Sequence, residues 1–286
     1  MFTEKNVEFD KARVVILPLP YNRTGSYRGG VSDGPGAIFD ASQELELYDE
    51  ETDLTPADIG IFTLSPPELP VAPELMIDRV YSIIKGLIKK NKFVVSLGGD
   101  HTVTIGVAKA YKELYPNIDF FVLDAHSDLR DKYEGNKFSH ACTSRRLSEM
   151  GRVKIVGVRS ISKEEIDYIR GTSHPCEIVY MRDILRENRN MCNVLEGLSD
   201  NIYLSLDLDV LDLGIMPSVQ TPQPGGFLWY GILGFLKTLI REKNVLGFDV
   251  VELSPIQGNP APDFLAAKLV YKMIGYKRFL KKPRNL

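Results

Sequence analysis

The chain has 286 residues, 44% of them hydrophobic and 26% charged, with a formal net charge of -3. This length and composition supply a substantial core and predict one α/β domain over residues 1–286. A charge balance this close to neutral leaves no basic footprint for nucleic acid or an anionic membrane, so a small molecule is the expected partner. The first thirteen residues alternate charged and apolar types without a signal-peptide core, and no apolar run reaches membrane-spanning length, which predicts a cytoplasmic protein.

Taken in chain order, the first apolar, β-branched run is Val14–Leu17, followed by Thr63–Pro73, a proline-rich surface connection. Met76, Val80, Ile83 and Leu87 fall on one face of a helix from about Glu74 to Lys90. Further strands are predicted at Phe93–Leu97, Phe120–Leu123, Val153–Val158, Ile178–Tyr180 and Ile202–Leu206. A second helix, from about Leu228 to Lys243, precedes a last strand at Val245–Val251. The runs are continuously apolar rather than alternating, as strands buried on both faces require. Strands separated by helices imply right-handed crossovers, hence a three-layer α/β sandwich: a mainly parallel central sheet covered by helices on both faces. Cys142, Cys176 and Cys192 lack a Cys-x-x-Cys spacing, which argues against a zinc ribbon or a disulfide framework and for free thiols.

The unusual polar residues come directly after predicted strands: Gly98-Gly99-Asp100-His101, Asp124-Ala125-His126-Ser127-Asp128, Asp207-Leu208-Asp209 and Asp249-Val250-Val251-Glu252. In an open parallel sheet these positions share one edge, the usual ligand crevice. Asp124, His126 and Asp128 are spaced by two, so their side chains leave an extended segment on the same side, and Asp207 and Asp209 repeat the arrangement. No lysine or arginine is interleaved to neutralise them. Divalent cations would, and these five side chains with His101 suffice for a dinuclear site. Oxygen-rich ligation with two imidazoles and no cysteine favours two manganese ions per chain, leaving iron, cobalt, nickel and zinc open.

These motifs, together with Gly34-Pro35-Gly36-Ala37-Ile38, Ser139-His140-Ala141-Cys142, Thr221 to Gly226 and Glu252-Leu253-Ser254-Pro255, resemble the ureohydrolase family of arginases and agmatinases across nearly the whole chain. The agmatinase-like members are the nearest match. The resemblance implies one metal held by His101, Asp124, Asp128 and Asp207, and a second held by Asp124, His126, Asp207 and Asp209. It implies that Glu252 binds the substrate guanidinium and that His140 exchanges protons or steadies the substrate. It also implies a trimer or hexamer of like chains.

Such an enzyme cleaves a guanidino C–N bond with water, and a pair of cations is what makes water nucleophilic enough to attack so poor an electrophile. Asp128 is the expected proton carrier to the leaving amine. Agmatine, giving putrescine and urea, is the favoured substrate, with arginine, a guanidino acid or N1-aminopropylagmatine as alternatives. Glu134 is a candidate partner for a distal ammonium, with a solvated loop acid as the equal alternative; His174 is read as a surface residue. The chain departs from the family pattern at Asn22, Ala141, Leu213, Ser218, Val219 and Gln220, which bears on the shape of the pocket mouth rather than on the ligands. A dinuclear phosphoesterase and a non-catalytic family member are the competing readings. The chain shows neither a phosphate-cradling loop nor clustered arginines, and it keeps every ligand type.

Overall fold

In the computed structural model, which describes residues 2, 7–25, 27–171, 176–186 and 191–279, eight strands form one parallel sheet. In chain order they are β1 (Val14–Leu19), β2 (Ile61–Thr63), β3 (Phe93–Gly98), β4 (Asp119–Leu123), β5 (Val153–Val158), β6 (Cys176–Tyr180), β7 (Asn201–Asp207) and β8 (Asn244–Val251). The helices are α1 (Gly34–Ala41), α2 (Pro73–Lys89), α3 (Val103–Leu114), α4 (Thr143–Met150), α5 (Lys163–Gly171), α6 (Met181–Arg186), α7 (Met191–Val194), α8 (Trp229–Glu242) and α9 (Ala261–Phe279).

Successive strand side chains feed two different cores, which is why the apolar runs are unbroken. Val14 and Ile16 join Leu204, Leu206 and Phe248 beneath α8 and α9, whereas Val15 and Leu17 join Val94, Phe120 and Val122 beneath α2 and α3. The expected sandwich is therefore present, and the predicted strands agree with the observed ones to within two residues at each end. Of the helices only α2 and α8 are anticipated from the sequence, and two further elements have plain reasons for lacking a periodic signal. Strand β2 is a three-residue edge strand, too short for a periodic pattern, and it takes Thr63 from the start of the proline-rich connection. Helix α9 has buried residues on most of its circumference, which removes the one-sided stripe that marks an amphipathic helix.

The strand order is β2-β1-β3-β8-β7-β4-β5-β6. The chain leaves β3, crosses to β4 and builds outward, then returns to insert β7 and β8 between them. Strands β3, β8, β7 and β4 are consequently four neighbours at the centre, around the point where strand order reverses, and these four carry the polar motifs. Among the described residues no helix is long and apolar enough to cross a membrane. Cys142 and Cys176 are free thiols. The side chain of Cys192, and His174 entirely, lie outside the described residues.

One buried charge pair ties the C-terminal helix to the rest. Lys272 of α9 is buried with its Nζ 3.0 Å from the buried Asp49 and 2.9 Å from Glu50. The other Asp49 oxygen accepts the backbone N–H groups of Glu51 and Thr52. Removing one partner of such a pair strands a desolvated charge, at about 3 kcal/mol or more. Lys272→Met should therefore lower the urea-unfolding free energy by about that amount; a loss below about 1 kcal/mol would show the pair to be incidental.

Candidate metal centre

The first side of the site is the turn after β3. Gly99 N–H donates to Leu19 O (2.9 Å), Asp100 N–H to Tyr21 O (2.8 Å), and Gly99 O accepts Glu252 N–H (2.8 Å), so the turn is stitched to both neighbouring strands. Gly99 has to be glycine, because a Cβ there would lie 2.1 Å from Tyr21 O. The pinned turn delivers His101 into the interior with its Nδ1 3.2 Å from Asp128 Oδ2 and 3.3 Å from both Asp124 Oδ2 and Asp207 Oδ2.

Three aspartates share one design: one oxygen is tied down by a backbone N–H and the other is turned inward. Asp124 Oδ1 accepts His126 N–H (2.6 Å), Asp207 Oδ1 accepts Asp209 N–H (2.9 Å), and Asp209 Oδ1 accepts Ala125 N–H (2.9 Å). The free oxygen of Asp209 lies 2.7 Å from His126 Nδ1. Asp128 and Glu252 adopt left-handed backbone conformations, with φ of 51° and 70°, a strained geometry for residues with a Cβ. Glu252 turns back under the β3 loop, where its Oε1 accepts the His101 N–H (2.7 Å).

The six predicted ligands thus come together in two overlapping groups. The donor atoms of His101, Asp124 and Asp207, and those of Asp124, His126 and Asp209, lie within 4.8 Å of one another. Asp128 joins the first group through its contact with His101. His101 Nδ1 and Asp124 Oδ2 are buried and have no hydrogen-bond partner among the described residues. Donor separations of 3.2 to 3.3 Å match the edge of a coordination shell with bonds of about 2.1 Å. The donor set therefore fits a pair of divalent cations.

The far side of His101 supports the same reading. Asp249 lies behind the ring, not in the crevice: it is fully buried, accepting Ser205 Oγ–H (2.6 Å), Tyr203 O–H (2.6 Å) and Thr104 Oγ1–H (3.0 Å). With the Ser205 proton committed to Asp249, Ser205 Oγ accepts from His101 Nε2, 3.0 Å away. Nδ1 of the neutral ring is then the lone-pair end facing the carboxylates, as a ligand requires.

His140 and Glu252 both line the same cavity, of about 270 Å³, together with Ala141, Val219 and Gln220, so three of the six departures from the family pattern do shape the pocket. Asn22 lines a separate hollow and Glu134 is exposed outside the pocket wall. Glu165 of α5 is a cavity residue without a sequence signal, since acids opening an amphipathic helix are ordinary. It is buried and accepts Ser127 Oγ–H (2.6 Å), Leu129 N–H (2.9 Å) and Ser162 N–H (2.8 Å), fixing the segment that carries Asp128. Arg159 acts likewise on the Asp209 side, donating to the carbonyls of Asp209 (2.7 Å), Leu211 (3.1 Å) and Gln223 (2.9 Å).

Most of the chain's length matches known proteins. The Arginase family profile matches residues 12–275. The chain belongs to the arginase family. This ureohydrolase, a hydrolase of guanidino C–N bonds, is 38% identical to the N(1)-aminopropylagmatine ureohydrolase of Synechocystis, over 96% of its length and 92% of the relative's. It is 35% identical to the agmatinase of Pyrococcus horikoshii, over 94% and 93%. The solved agmatine ureohydrolase of Thermoplasma volcanium superposes with a TM-score of 0.86 at 30% identity, covering 95% of this chain and 92% of that one.

The electrostatics of the arginase-family site give a testable sign. Without a cation, burial, then Asp209, Asp128 and Asp207, hold the Asp124 carboxyl well above its ordinary 3.8. Burial and Asp209 push Asp207 up to about 7. Against the burial that would lower them, the surrounding carboxylates raise His101 well above 6.5 and His126 to about 10. Asp209 alone falls, to about 2, where His126 outweighs burial. The raised acids ionise first in the unfolded chain, so they destabilise the metal-free fold increasingly from about pH 4 to 7. The raised histidines stabilise it fully below about pH 6.5 and lose that contribution toward pH 10. Both act in one direction, and a cation displaces the same protons. Chelator-treated protein should melt at a lower temperature at pH 8 than at pH 5, and manganese should raise the melting temperature more at pH 8. An equal manganese shift at both pH values would place the metal elsewhere.

Proposed function

We propose that the chain hydrolyses the guanidinium C–N bond of an amine-terminated alkylguanidine, agmatine or its N1-aminopropyl derivative, with the extended compound preferred. The observation that carries the reading is the unpartnered His101 Nδ1 amid three inward carboxylates. His101, Asp124, Asp128 and Asp207 would hold one ion, and Asp124, His126, Asp207 and Asp209 the other, with Asp124 and Asp207 shared. Hard oxygen donors with two imidazoles favour manganese. When bound, the pair supplies the positive charge that makes water nucleophilic near neutral pH.

The chain's own groups handle the substrate and the protons. Glu252 is buried in the cavity wall with its backbone held by Gly99, and a carboxylate there compensates a planar guanidinium. Water oxygen adds to the guanidinium carbon and the bond from that carbon to the alkyl nitrogen breaks. Asp128, beside His101, carries one water proton to that nitrogen and the second water proton follows as the amine leaves, so the products are urea and an alkylammonium and the charge balances. His140, which lines the same cavity, exchanges protons with solvent.

The preference for the aminopropyl tail rests on the name of the Synechocystis relative, which is also the name of the Thermus relative at 36% identity. Agmatine itself is supported by the Pyrococcus relative. This puts N1-aminopropylagmatine, an alternative in the sequence analysis, ahead of agmatine, which the family resemblance favours. Urea release measured with manganese across agmatine, N1-aminopropylagmatine, arginine and guanidinobutyrate decides among them. The highest kcat/KM should fall on N1-aminopropylagmatine, with agmatine next. Preference for arginine would overturn the substrate reading. Glu252→Gln should keep its manganese while losing at least about 100-fold in kcat/KM; normal turnover would remove Glu252 from guanidinium binding.

A further inference from the structure

The geometry points to Thr24 as a positioning residue that, backed by Asp100, sets which ring nitrogen of His140 carries the proton. His140 Nδ1 lies 3.2 Å from Thr24 Oγ1, and Thr24 Oγ1 lies 2.6 Å from Asp100 Oδ2. The three residues are far apart in sequence and come from three different segments, so the arrangement is purely tertiary.

A hydroxyl has one proton to give. Asp100 is buried, and four donors converge on its carboxylate. Oδ2 faces Thr24 Oγ1–H, Thr24 N–H (2.9 Å) and Arg23 N–H (3.4 Å), and Oδ1 accepts Thr102 N–H (2.9 Å). An oxygen so placed accepts, and the short Thr24 contact takes the Thr24 proton. Thr24 Oγ1 then turns lone pairs toward its other neighbours: it accepts the His140 backbone N–H (2.9 Å) and faces His140 Nδ1. The backbone N–H of His140 fills one of the two Thr24 lone pairs, and Thr102 Oγ1, 3.1 Å from Thr24 Oγ1, competes with His140 Nδ1–H for the second.

An unprotonated Nδ1 would set lone pair against lone pair at 3.2 Å, whereas Nδ1–H makes a hydrogen bond. Neutral His140 therefore carries its proton on Nδ1 and presents Nε2 as an acceptor. The competing arrangement has Ser139 Oγ, 3.3 Å from Nδ1, donating to it and leaving the proton on Nε2. The inference rests on the reading of His140 as the group that exchanges protons with solvent. It adds that the orientation and tautomer needed for that task come from a threonine that lines no part of the cavity.

Thr24 is the position to change, because Asp100 adjoins His101. Urea release and manganese content are measured for Thr24→Val, Thr24→Ser, Ser139→Ala, His140→Asn and the Thr24→Val/His140→Asn double variant. Thr24→Val should lower kcat about 10- to 100-fold with little change in KM or metal content. Thr24→Ser should stay within about threefold of the parent, and in the His140→Asn background Thr24→Val should cost nothing further. The chain has only four histidines, so ¹⁵N-histidine spectra of the zinc-loaded protein give a second readout that does not depend on turnover. Nδ1–H on His140 is expected. Nε2–H there, a loss in Ser139→Ala but not in Thr24→Val, or an equal Thr24→Val loss with and without His140 would overturn the inference. Full activity in His140→Asn would instead show that His140 moves no essential proton, a separate failure.

Discussion

Four aspartates and two histidines are crowded together at the wall of one cavity, and that crowding is the constraint on which the rest of the structure depends. Carboxylates at such distances cannot all be ionised without positive charge among them, and the protein offers none from lysine. Each feature around the site manages this problem. Backbone N–H groups take one oxygen of Asp124, Asp207 and Asp209, so that only the other faces inward. Asp249 and Ser205 take the outer nitrogen of His101, and two strained backbone conformations aim Asp128 and Glu252.

The sheet order makes the crowding possible. Had the chain added strands in sequence, β3 and β4 would be adjacent and β7 and β8 would lie at an edge, with the motifs spread across the crevice. Inserting β8 and β7 between β3 and β4 brings all four motif-bearing ends side by side. The surrounding cores then hold those ends rigid: each central strand is buried on both faces, and β7 is bonded to both β4 and β8 along its length. A site made of side chains that repel one another has to be borne by the part of the molecule least able to relax.

Much of this was legible before any coordinates. Continuous apolar runs marked seven of the eight strands, and the period of two in Asp124, His126 and Asp128 and in Asp207 and Asp209 marked side chains that leave a strand together. The residues that the local pattern leaves unmarked share a physical cause. Glu165, Arg159 and Thr24 act through backbone groups and hydroxyls far away in sequence, so nothing in their local pattern distinguishes them from solvated residues. Asp249 looked like a member of the crevice because it precedes Glu252 at a strand end, yet it lies deeper on β8 and faces the underside of His101.

The layered parallel architecture, the sheet edge that gathers the polar motifs and the side chains that converge there follow from the amino-acid sequence, because hydrophobic period and residue spacing are local properties. How those side chains are aimed and supported is a tertiary outcome: which carboxylate oxygen faces inward, which ring nitrogen of His101 faces the carboxylates, and which departures from the family pattern reach the pocket. Those outcomes depend on hydrogen bonds between segments about 75 to 150 residues apart, and such partners exist only once the β3, β4, β7 and β8 ends have been brought together.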